Sequence, residues 1–152
     1  MSLPPLPDLT DLLTQYPALT PRPNRIDGFG DSPAMCAELL DLIRRGGKRA
    51  GASLLWTHQA EASPLPQQGD IVLVVDALNQ PALLLQTLAV EVCPFAEVSA
   101  DFAAAEGEGD GSLAYWREAH WSFFSRECAL IGRSPSPSMP VVCERFALLK
   151  TL

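Results

Sequence analysis

The sequence predicts an α+β fold in which several strands carry two main helices. Two stretches repeat apolar residues at helical spacing between recognisable caps, around residues 33–45 and 113–130. Short apolar runs, IVLVV and PALLL, flank a turn motif at Asn79-Gln80-Pro81, and a last run, PVVCERFALLK, follows a proline-serine loop. Several short strands beside two main helices make α+β the expected class. At 152 residues the chain has the size of one ordinary domain, and no internal repeat divides it.

In chain order, residues 1–25 are expected to form a partly extended N-terminal arm. Within it Leu9, Leu12, Leu13 and Tyr16 suit a short amphipathic turn. Residues 26–152 are expected to form a single domain. Ser32 suits a helix cap and Pro33 the first helical position, and Cys36, Leu39, Leu40 and Ile43 follow at i, i+3, i+4 and i+7. Gly46-Gly47 should end that helix. Beyond it ASLLW reads as a strand, and QQGDIVLVVDALNQPALLLQTLAVEV as two strands joined by the turn. Ser99 is expected to cap a short helix that dissolves into the glycine-rich acidic loop EGEGDGS. Ser112 should cap the longest helix, Leu113 to Leu130, closed by Gly132. Its core face holds Leu113, Trp116, Arg117, His120, Trp121, Phe124 and Cys128, with Glu118, Ser122, Ser125 and Arg126 opposite. The final strand places Val142, Glu144, Phe146 and Leu148 on one side.

The formal net charge of -7 excludes a generalised polyanion-binding surface, since neutralising many phosphates needs a basic face. Positive charge is nevertheless concentrated in RRGGKR. Arg44 and Arg45 occupy the last helical turn, where cations meet the negative end of the helix dipole. Lys48 and Arg49 lie past the glycines and lack that reason. The four cysteines, Cys36, Cys93, Cys128 and Cys143, form no C-x-x-C pair, so reduced buried thiols are expected and no metal or other cofactor. No apolar run approaches the ~18 residues of a membrane helix. MSLPPLPDLTDLL lacks the positive start and apolar centre of a secretory signal, so a cytoplasmic location is expected.

Five blocks in order, FGDSPAMCAELLDLIRRGGKRA with ASLLW, PFAEV, EGEGDGSLAYWREAHWSFF and MPVVCERF, resemble the ASCH domain family, in particular its small stand-alone bacterial members, over about residues 29–149. The resemblance adds to the expected α+β class by implying a PUA-like β-barrel with a cleft between barrel and helix, and an association with RNA. It also implies a possible enzyme: some members are reported as ribonucleases, others as amidohydrolases that remove acyl groups from modified cytidine. The family motif G-x-K-x-x-T falls on residues 46–51, where Lys48 matches and Gly51 replaces the threonine. In the amidohydrolase branch a threonine, a lysine and a glutamate act together. Here Ser53, on the same face of an extended segment as position 51, could supply a displaced hydroxyl, and a glutamate near TLAVEV is represented by Glu91.

The candidate site therefore comprises Lys48, Ser53 and Glu144 for chemistry, and Arg49, Trp56, Tyr115, Trp116 and His120 for ligand binding. Lys48 is either a solvated loop lysine or a cation at the cleft mouth. Glu144 is an edge residue, a partner of Arg117 or Arg145, or an acid-base partner of Lys48. His120 and the aromatic residues serve the core or present a ring to a base. The EGEGDGS loop, with Glu106, Glu108 and Asp110, is a solvated loop, a lid or a divalent-ion site. The expected ligand is RNA, a nucleotide or a nucleoside bound in the cleft at the glycine turn, with a metal-independent ribonuclease or nucleoside amidohydrolase as the alternative. A homodimer through the aromatic helix or the arm is a further possibility, and no membrane partner is expected.

Overall fold

The computed structural model describes residues 2–152. Its elements are α1 (Leu9–Gln15), β1 (Arg25–Asp27), α2 (Pro33–Arg44), β2 (Ala50–Leu54), α3 (Leu55–Glu61), β3 (Ile71–Val75), β4 (Pro81–Pro94), a 3-10 turn (Phe95–Glu97), α4 (Ala100–Glu106), α5 (Leu113–Leu130) and β5 (Pro140–Thr151). The strands are ordered β1-β3-β4-β5-β2, which makes the fold α+β as the sequence predicts.

Each of the three serine caps forms. Ser32 Oγ accepts from the Met35 amide, Ser99 Oγ from Phe102 and Ser112 Oγ from Tyr115, satisfying in each case a helix donor that has no carbonyl one turn back. Gly132 follows α5 in the left-handed conformation at φ 74°.

ASLLW is not one strand. The strand stops at Leu54, and α3 begins at Leu55 with no connecting loop, so Trp56 is helical. The short strand β1 is a second element beyond the expected set. It pairs parallel with β3, Arg25 opposite Val72, and its guanidinium reaches Asp70 at 3.1 Å.

The chain forms two compact units. The first contains the residues up to Gly46, Gln68–Leu88 and Phe146–Leu152. Here the α2 residues Cys36, Leu40 and Ile43 bury against Val72, Val74, Leu83 and Leu85, while Leu12 of α1 packs with Leu73, Val75 and Leu84. Because β3 side chains alternate, these two clusters take its two faces, which explains a strand apolar at every position.

The second unit contains Gly47–Gln67 and Ala89–Arg145. Its core gathers Leu54, Phe95, Phe102, Trp116, Phe124, Met139 and Val141. β2 runs antiparallel to β5, with Gly51 opposite Glu144 and Ser53 opposite Val142. Ala50, Leu54, Val141 and Cys143 face this core, so the alternation sends Gly51, Ser53, Val142 and Glu144 to the other face. All the candidate site residues lie in this unit.

Candidate functional site

Lys48 follows the glycine turn and is tied to α4 by its neighbour, whose amide Arg49 N–H donates to the Ala105 carbonyl at 2.7 Å. The lysine side chain is not solvated: it is 2 % exposed. Its Nζ lies 2.9 Å from Glu108 Oε2 and 3.5 Å from Glu106 Oε1, the pairing that a buried ammonium requires. Glu106 is equally buried, whereas Glu108 keeps a quarter of its side chain exposed.

The loop after α4 reaches Lys48 because two glycine turns touch. Gly107 closes α4 in the left-handed conformation, φ 67°, and a Cβ built on it would fall 1.8 Å from the Gly47 carbonyl oxygen. Only glycine fits there.

Glu106 is the hub. Its Oε2 accepts from the Trp116 indole N–H and lies 2.9 Å from His120 Nε2. The two aromatic rings stack at 4.2 Å between centroids, and His120 Nδ1 sits 2.9 Å from the Trp116 carbonyl. The imidazole thus lies within hydrogen-bonding distance of an oxygen at each ring nitrogen.

Burial pushes the Glu106 acid up. The His120 hydrogen bond, the Lys48 charge and the Trp116 indole outweigh burial and hold its pKa below the usual carboxylate range. A depressed folded-state pKa gives stability that is complete above the unfolded value, about 4.5, and lost as pH falls through the folded one. The midpoint of thermal unfolding is therefore expected to drop below that pH more steeply in the wild type than in Glu106→Gln. Parallel curves would remove the charged hub.

The remaining candidates are spread over the same unit. Tyr115 is 43 % exposed and lies against the loop, where a Cβ on Gly109 would come within 2.5 Å of its ring. Arg49 is exposed. Trp116 is 2 % exposed, so it offers no ring face to a ligand and acts as donor to Glu106. The Arg133 guanidinium covers one face of Trp56 at 4.4 Å. Glu144 is half-buried across from Gly51, the position of the family threonine. Ser53 Oγ is held by His58 Nε2 at 2.9 Å, and His58 Nδ1 by Ser63 Oγ at 3.1 Å.

The structure thus joins Lys48, Trp116 and His120 through Glu106 and sends Ser53 to His58. From sequence Glu106 stands only in the EGEGDGS loop, not as a partner of Lys48, Trp116 or His120, and His58 is not singled out. The available signal for Glu106 was its position as the last α4 residue before a glycine; for His58 it was the five-residue spacing from Ser53.

Glu106, Glu108 and His120 also bring possible ligand atoms within 4.8 Å of one another. Lys48 Nζ already bonds both carboxylates, so a small cation would have to displace it. A hollow of about 120 Å³ is lined by Glu91, Cys93, Phe102, Cys143 and Arg145 among others. Burial raises the pKa of both its thiols, and Arg145 lies over the Phe102 ring at 5.5 Å. It is well below the several hundred Å³ of a typical ligand pocket. No helix among the described residues is long and apolar enough to cross a membrane.

The family model for the ASCH domain matches residues 25–150. The crystal structure of an ASCH domain from Lactobacillus crispatus JV V101 is 33% identical, with TM-score 0.80, over 97% of this chain and 98% of that one. The crystal structure of a protein from Enterococcus faecalis V583 is 32% identical, with TM-score 0.77, over 93% and 85% of the two chains. A hypothetical protein of known crystal structure, 16% identical with TM-score 0.54 over 82% and 97%, shares the fold alone. No curated protein matches.

Proposed function

The chain belongs to the ASCH domain family, and from that membership we propose that it binds short single-stranded RNA or a nucleotide, with one phosphate seated on Lys48. The observation that carries this reading is the asymmetry of the two carboxylates on the ammonium. Glu106 is fixed by Trp116 and His120, whereas Glu108 is partly exposed on a loop rich in glycine. Glu108 stands where a phosphate oxygen would bind, and a ligand enters by displacing it. Arg49 adds an exposed cation from the same turn, and Tyr115 an exposed ring against the same loop for a base to stack on. The net charge of -7 restricts the ligand to few phosphates.

Removing the competing carboxylate should strengthen binding. Glu108→Gln keeps the loop's size and is expected to tighten a fluorescently labelled hexanucleotide by about tenfold, the worth of one charge-assisted hydrogen bond at a partly exposed site. Anisotropy at low and moderate salt measures it. Binding by neither protein at low salt sinks the reading; equal binding by both leaves a binder whose phosphate is not on Lys48.

A second reading, a ribonuclease or a hydrolase of modified nucleosides, is favoured by one observation. Ser53 and Glu144 share a face of the β2–β5 pair with Gly51, where the family motif carries threonine. Intact oligonucleotide and intact N-acylated cytidine after prolonged incubation would remove it.

A further inference from the structure

Ser53, His58 and Ser63 form a hydrogen-bonded line that takes no part in the Lys48 cluster. The line exists because α3 follows β2 directly. Ser53 is the penultimate strand residue and His58 the fourth residue of the helix, so the chain folds the imidazole back until Nε2 is 2.9 Å from Ser53 Oγ. At the far end Ala62 takes the left-handed conformation, φ 52°, and turns the chain so that the Ser63 amide donates to the His58 carbonyl at 3.0 Å. That places Ser63 Oγ 3.1 Å from Nδ1.

The ring is therefore held at both nitrogens. With Nδ1–H donating to Ser63, the Nε2 lone pair faces the Ser53 hydroxyl, the tautomer that can take its proton. Nucleophile to base and base to orienting group are both within hydrogen-bonding reach, the geometry of an activated serine. All three residues are half-buried. Ser53 also points away from the core, onto the face where Gly51 carries no side chain.

We propose that Ser53 is a nucleophile for acyl transfer, with His58 as its general base and Ser63 as the residue that positions the imidazole, acting on small esters or activated amides. Ser53 Oγ forms a bond to the acyl carbon while its proton passes to His58 Nε2. The carbon–oxygen or carbon–nitrogen bond breaks, and the leaving alcohol or amine takes that proton. Water then adds to the acyl-serine and gives its proton to His58; as the bond between the acyl carbon and Ser53 Oγ breaks, His58 passes that proton to Oγ, releasing the carboxylic acid and free Ser53. Ester and water are consumed, acid and alcohol produced, and no other reactant enters.

This extends the second reading above, with which it shares Ser53, by naming its base and its positioning residue, and it does not rest on the binding proposed at Lys48. The test is to treat the full chain with a fluorophosphonate probe and map the labelled peptide by mass spectrometry. Modification of Ser53 is expected in the wild type. His58→Ala and His58→Gln, with folding checked by circular dichroism, should label about a hundredfold more slowly, the usual contribution of a general base. Ser63→Ala should label with a displaced pH profile, which a purely structural serine would not produce. An unlabelled Ser53 in the wild type overturns the proposal, as does labelling of a folded His58 variant at the wild-type rate. An unchanged pH profile in Ser63→Ala removes its positioning role. No RNA enters the assay, so its failure leaves the binding reading standing and the reverse holds too.

Discussion

Lys48→Ala is expected to destabilise the protein by about 3–5 kcal/mol, the cost of removing one partner from a buried ion pair. The size follows from what the substitution leaves behind. Glu106, 2 % exposed, would lose a cation that helps keep it ionised, and Glu108 would lose its closest one. Arg49→Ala, one residue further on, removes the same charge from an exposed position and should stay within about 0.5 kcal/mol of the wild type. Urea unfolding of the two variants makes the comparison. If they unfold together, the lysine is a solvated loop residue after all, and both the ionic hub and the phosphate seat fall with it.

The same residues show where sequence reasoning reaches and where it stops. α5 was legible to the residue because a serine cap, a helical repeat of apolar side chains and a closing glycine all agree. α3 carries none of those marks. Its cap is Leu54, which makes no side-chain bond, and its left-handed C-terminal residue is Ala62 rather than glycine. A strand that runs into a helix without a loop offers no punctuation, so ASLLW read as one element and His58 went unnoticed. The hub was hidden differently. Glu106 opens the string EGEGDGS, whose composition speaks of solvent, yet as the last residue of α4 it turns inward to meet Trp116 and His120. Lys48 was placed by its motif, but its burial depends on carboxylates 58 and 60 residues away, which no local pattern reports. Resemblance to the family identified the fold because five blocks kept their order; it did not supply the partners of Ser53, since position 51 departs from the motif.

Gly107→Ala should damage this unit more than its chemistry suggests. The left-handed conformation alone costs a residue with a side chain about 1–3 kcal/mol. Here a steric conflict adds to it, because the new Cβ would sit 1.8 Å from the Gly47 carbonyl oxygen, and backbone cannot swing aside as a side-chain tip can. The loop must lift off the glycine turn, and in lifting it draws Glu108 away from Lys48. Gly111→Ala is the matched control: φ is 76°, also left-handed, but nothing lies within 4 Å of its Cβ. It should show the conformational cost only. Urea unfolding is expected to separate the pair, with Gly107→Ala the less stable by a margin beyond that shared cost. Equal losses would mean that the two glycine turns do not touch, and Glu108 would then have no fixed place on the ammonium. Oligonucleotide binding gives an independent readout. A lifted loop no longer covers Lys48, so a folded Gly107→Ala protein should bind the labelled hexanucleotide more tightly than the wild type, in the same direction as Glu108→Gln, while Gly111→Ala leaves binding unchanged.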